Sequence, residues 1–201
     1  MWSYHAARVI SAVFSPAVVL PIGGLYMAWR LDTKEAWLWT LFYSVAAIAV
    51  PVSYIIWRIR LGKLTDFHMR LREQRVVPMV VIIACVAITW VVMLAGGAPD
   101  LLLIALGIAS LLAFFLTLIT LRWKISVHSC VNTAVWLTAW GMFGLFGWLA
   151  VVVVLLVVWA RVRVRRHTIM QTLAGVVIGL TFGTAALILW GAQTGSSFLP
   201  W

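Results

Sequence analysis

Residues 130–159 read CVNTAVWLTAWGMFGLFGWLAVVVVLLVVW, a long run without a single charge. As one helix rising 1.5 Å per residue it would measure about 45 Å, against the roughly 30 Å of a bilayer's hydrocarbon core. Gly141, Gly144 and Gly147 cluster at its centre, where a chain that must turn back can do so, so two short helices are expected. That break decides the fold. With it, the chain returns at residue 160 to the side it left at residue 129; as one long helix, the run would hold its two polar flanks apart.

Those flanks are the two most polar passages nearby. Downstream lies ARVRVRRHTIMQTLAG, residues 160–175, and upstream lies RWKISVHS, residues 122–129. A third polar passage, RIRLGKLTDFHMRLREQRVVP, covers residues 58–78. Between and around them run further apolar stretches near residues 9–29, 36–57, 80–94, 101–121 and 169–191, each helix-length, with the turn signal GGAPD at 96–100. The expected architecture is an all-α polytopic transmembrane bundle of about six to seven spans. It forms one domain over 1–201, with a motif-bearing core at about 58–191.

Composition supports this class. The chain is 65% hydrophobic and 10% charged, with a mean hydropathy of +1.09, which excludes an ordinary soluble globular protein. The first apolar run is too long for a cleaved leader and carries Pro16, Pro21 and Arg30 where a leader would not, so it reads as a retained helix. Cys85 and Cys130 match no metal or redox spacing and read as buried free thiols. Gly175, Gly179 and Gly183 repeat every four residues, a small-residue seam for close helix packing. Several tryptophans, among them Trp29, Trp57, Trp123 and Trp159, fall near span ends as interfacial anchors do.

Fifteen Lys and Arg stand against five Asp and Glu, a net charge of +10. In a soluble chain that balance would suggest nucleic acid; in a membrane chain it points to lipid phosphates, and no nucleic-acid partner is expected. All the cations except Arg30 and Lys34 fall on the face expected to carry the N-terminus and the three polar passages. The positive-inside rule makes that face cytoplasmic, in a membrane expected to be a prokaryotic plasma membrane.

Brought to one face, the polar passages would offer Arg72, Arg75, Lys124, Arg161, His128 and His167. Guanidinium forks clamp phosphate oxygens, and two imidazoles can divide the work of nucleophile and general acid. His167 and Gln171, four apart, are expected to share a helix face. The carboxylates are only Asp32, Glu35, Asp66, Glu73 and Asp100, too few on that face for a magnesium site, and no zinc spacing occurs, so no metal and no cofactor are expected. His5 and His68 read as interfacial polar residues. Arg163, Arg165 and Arg166 read as topology and headgroup charges.

The order of these motifs resembles the type 2 phosphatidic acid phosphatase superfamily, membrane relatives of the vanadium haloperoxidases, over roughly residues 66–179. Its signatures are Lys-x6-Arg-Pro, Pro-Ser-Gly-His and Ser-Arg-x5-His-x3-Asp. The third matches as Ala160-Arg161, five residues, His167, three residues and Gln171, with Ala for Ser and Gln for Asp. The second matches as Ile125-Ser126-Val127-His128, without the Pro and Gly, and the first loosely, with Arg75 followed by Val76 and with His68 where lysine belongs. Arg72 or Lys124 would supply the cation missing there. The resemblance implies a metal-independent hydrolase of a lipid phosphate monoester or isoprenoid diphosphate. His167 would be the nucleophile forming a phosphohistidine, His128 the acid, Gln171 the residue in the orienting position, and Arg75, Ser126 and Arg161 phosphate ligands. Gln171 can accept the imidazole N–H but cannot supply the aspartate's charge. Rival readings are a lipid-phosphate binding or flipping protein that has lost turnover through Gln171, and a small transporter.

Overall fold

The computed structural model describes residues 2–67, 71, 73–144 and 147–195. Among them every regular element is helical: α1 (Trp2–Val13), α2 (Pro16–Leu31), α3 (Lys34–Tyr43), α4 (Val50–Arg60), α5 (Val76–Ala95), α6 (Asp100–Arg122), α7 (Val127–Phe143), α8 (Gly147–Arg163) and α9 (Ile169–Thr194). Among the described residues, four stretches are long and apolar enough to cross a bilayer: Lys34–Arg60, Glu73–Ala95, Asp100–Arg122 and Ile169–Thr194. The bent pair α1 and α2 makes a fifth if it is one broken span. The protein is an all-helical integral membrane protein. Helices suit that solvent because each satisfies its own backbone polar groups.

Where the chain departs from the apolar runs, proline and glycine account for it. The first run is not one helix: α1 and α2 meet at a 47° bend, because Pro16 has no N–H to give to α1 and disfavours helical geometry at Ser15. The second run extends in both directions to Lys34–Arg60 and carries a π-helical segment, Ser44–Ala49. Pro51 lies two residues beyond its end, after Val50, and the wider turn accommodates the proline's missing donor. α5 begins at Val76, four residues before the apolar run, since Pro78 sits in the first turn where N–H groups have no intrahelical partner. The uncharged 130–159 run does break at its glycines. α7 ends on Gly144 at φ +63°, the left-handed cap that favours glycine.

The helices fall into two compact units, Met1–Gly23 with Ile125–Trp201, and Gly24–Lys124. In the second unit α5 and α6 form an antiparallel hairpin, with Trp90 Nε1 donating to the Leu103 carbonyl at 3.0 Å. The Trp39 ring of α3 covers Gly96 at the end of α5, where a Cβ would fall 2.7 Å from the ring's Cζ2.

In the first unit α7 and α9 run parallel and in register. Gly175 faces the Ser126 carbonyl, Gly179 faces Cys130 and Thr133, Gly183 faces Ala134 and Leu137, and Gly141 of α7 meets Leu187. The four-residue glycine repeat is thus the face on which α9 meets α7. α8 runs back between their ends, and α1 lies along α8. Parallel in-register packing places the first turns of α7 and α9 at one level, and there the polar side chains of this unit collect.

Candidate functional site

The connection from α8 to α9 sets the Arg161–His167 spacing. α8 ends in a Schellman turn: Arg166 N–H donates to the Arg161 carbonyl at 3.1 Å and Arg165 N–H to the Val162 carbonyl at 2.9 Å. His167 N–H donates to the same Arg161 carbonyl at 3.3 Å. Arg165 holds the left-handed position of this turn at φ +56°, where glycine is the usual occupant. A residue with a Cβ costs roughly 1 kcal/mol there. Arg165→Gly is therefore expected to raise stability by about 1 kcal/mol, read as an upward shift of the melting temperature in detergent. An unchanged or lowered midpoint would mean that the arginine side chain offsets the strain of its backbone.

His167 is not on a helix with Gln171. It precedes Thr168, the N-cap of α9, and the four-residue spacing joins a cap-preceding residue to the third helical position. The two still meet, His167 Nδ1 lying 3.2 Å from Gln171 Oε1. The reason is a capping box: Thr168 Oγ1 accepts from Gln171 N–H at 3.3 Å, and Gln171 Oε1 accepts from Thr168 N–H at 3.2 Å. An oxygen already accepting from a backbone N–H must face His167 as an acceptor too. Nδ1 therefore carries the hydrogen, and in the neutral ring Nε2 is the nitrogen with the lone pair.

Ser126 caps α7, its Oγ accepting from Ser129 N–H at 3.3 Å and lying 3.0 Å from Ser129 Oγ. Its backbone N–H donates to the Gln171 carbonyl at 3.2 Å, tying the start of α7 to the first turn of α9. His128 is buried one turn before Asn132, whose Nδ2 donates both to the His128 carbonyl at 2.8 Å and to the Phe14 carbonyl at 2.9 Å. The bend at Pro16 deprives that Phe14 carbonyl of its usual helical donor, and the Asn132 amide supplies one. Arg161, only 2% exposed, donates from Nη1 to Ser11 Oγ of α1 at 2.6 Å. Arg163 reaches Ser3 with Nε at 3.2 Å and Nη2 at 2.9 Å.

These contacts close a circuit. It runs from Arg161 to Ser11, along α1 to Phe14, across to Asn132 and His128, along α7 to Ser126, across to Gln171, then to His167 and back to the Arg161 carbonyl. No known family model matches the chain, and neither a curated protein nor a solved structure matches it. The site therefore stands on its geometry.

Of the residues singled out in the sequence, Ser126, His128, Arg161, His167 and Gln171 lie together in the first unit. Arg75, buried at the start of α5, and Lys124, just after α6, belong to the second. Arg72 and His68 lie outside the described residues. Among the described residues no three His, Cys, Asp or Glu side chains converge as a metal would require. Sequence reading missed Ser11 and Asn132. Asn132 was detectable as an amide inside an uncharged run, which membrane helices rarely carry without a use; Ser11 gave no signal, since one hydroxyl in an apolar helix can satisfy itself on its own backbone.

Proposed function

We propose that the chain is a metal-independent membrane lipid phosphatase acting through a phosphohistidine on a lipid phosphate monoester or diphosphate. The observation that carries this reading is the 3.2 Å contact between His167 Nδ1 and Gln171 Oε1. With Nδ1–H spent on Gln171, Nε2 has the lone pair that a nucleophile needs. Electrostatics supports it. The first unit contains Arg8, Arg161, Arg163, Arg165 and Arg166 and none of the chain's Asp and Glu side chains, a charge balance that favours an anionic ligand. The positive ends of the parallel helices α7 and α9 lie at the same level.

In this reading Nε2 of His167 attacks phosphorus as the bond to the leaving oxygen breaks, and His128 gives that oxygen a proton. Water then attacks the phosphohistidine, the N–P bond breaks, and His128 recovers a proton from the water. Arg161 holds the equatorial oxygens through both steps. α7 and α8 cross the bilayer beside α9, which makes the seven membrane segments of the sequence reading, with the site at the cytoplasmic face.

Gln171 favours one second reading, a protein that binds or flips lipid phosphates without cleaving them, because a neutral amide cannot stabilise the imidazolium that forms. Phosphate release separates the two. Purified protein in detergent with EDTA is expected to release inorganic phosphate from at least one of phosphatidic acid, phosphatidylglycerol phosphate and a prenyl diphosphate. Lipid binding with no release from any of the three would establish the binding protein instead.

A further inference from the structure

Ser11 and Arg161 are 150 residues apart in sequence, yet their hydrogen bond, at 2.6 Å, joins two groups that are 5% and 2% exposed. A guanidinium has only donors, so Ser11 Oγ must accept. Its own hydrogen is then available to an acceptor, and among the described residues no bond spends it: the Ala7 carbonyl one turn earlier, the usual outlet for a helical serine, does not take it. Polarisation by Arg161 makes that O–H a better donor than an isolated serine.

Ser11 is also held in place independently of the arginine. α1 is fixed three residues further on, where Asn132 of α7 takes the Phe14 carbonyl, and near its start, where Arg163 grips Ser3. The hydroxyl is therefore set by α7, the helix that carries Ser126 and His128, and by α8, which carries Arg161.

We infer that Ser11 is an oxyanion ligand contributed by α1: its hydroxyl accepts from Arg161 and donates to a tetrahedral oxyanion that Arg161 binds, so that α1 is a wall of the anion site and not only a membrane anchor. This rests on the anion-site reading of Arg161, and does not require that the bound phosphate be cleaved.

The test uses the full chain in detergent with orthovanadate and inorganic phosphate as probes, reading the dissociation constant from ligand-induced thermal stabilisation. Ser11→Ala is expected to weaken vanadate binding at least about 10-fold, the loss of one hydrogen bond to a charged group. Ser11→Thr, which keeps the hydroxyl, should stay within about 3-fold of the wild type. A serine that only braces the fold would lower the midpoint of Ser11→Ala with and without vanadate alike and leave the dissociation constant unchanged, which overturns the inference. Wild-type protein that binds neither probe overturns it as well. Vanadate binding that needs Ser11, in a protein that releases no phosphate from any lipid, supports Ser11 as a ligand and removes only the phosphatase reading.

Discussion

His167→Ala is expected to reduce phosphate release to background, a loss on the order of 10⁴-fold or more, because it removes the atom proposed to form the covalent intermediate. The substitution should leave the fold intact. His167 contributes its backbone N–H to the end of α8, which alanine keeps, and α9 is capped by Thr168 and Gln171 without help from the imidazole. Elution from a sizing column and helical circular dichroism should therefore match the wild type. Turnover surviving in a well-folded His167→Ala protein would sink the phosphohistidine mechanism.

The neighbouring position refines this. Gln171 sets the tautomer and caps the helix but carries no charge, so Gln171→Glu should keep both hydrogen bonds and stabilise the imidazolium, raising turnover by up to about 10-fold. Gln171→Leu loses the imidazole partner and half the capping box. It should lower turnover by about 100-fold and stability by roughly 1 kcal/mol. A Gln171→Leu protein with normal turnover would mean that the 3.2 Å contact to His167 has no bearing on chemistry.

The second large effect is on stability. A Cβ built on Gly179 falls against the Cys130 carbonyl and 2.7 Å from Thr133 Cβ, and one on Gly175 falls 2.6 Å from the Ser126 carbonyl. Backbone cannot swing aside as a long side chain can. Gly179→Val should force α9 away from α7 and cost about 3 kcal/mol, with the melting midpoint falling well below that of the wild type. Separation of the two helices also stretches the Ser126–Gln171 bond at their shared end, so phosphate release should drop along with stability. Gly23→Ala is the control, since its Cβ would meet Val135 Cγ1 at an ordinary 3.6 Å. There the better helix propensity of alanine leaves stability unchanged or up to about 1 kcal/mol higher. Equal midpoints for the two variants would contradict the tight α7–α9 seam.

Much of this was written locally. The apolar runs, the break at Gly144 and the glycine repeat on α9 are read directly from residue type, because the bilayer forces backbone satisfaction onto single helices and small residues are what let two of them approach closely. The pairing of His167 with Gln171 was legible as a spacing, although its physical basis was not a helix face. A capping box brings the amide back to the residue just before the cap, so the same four-residue interval arises from a turn.

Other features had no local signature. The bend between α1 and α2 follows from Pro16, but that its freed carbonyl is taken by Asn132, far along the chain, depends on which helix packs there. The partnership of Arg161 with Ser11 is of the same kind. A serine in an apolar helix has the same local character whether it faces lipid, its own backbone or a guanidinium. Hydropathy and punctuation are enough to make this chain a helical membrane protein. Only packing decided which hydroxyls and carbonyls its cations and amides would meet, because a hydrogen bond between distant residues depends on helix neighbours and register, which no short stretch of sequence encodes.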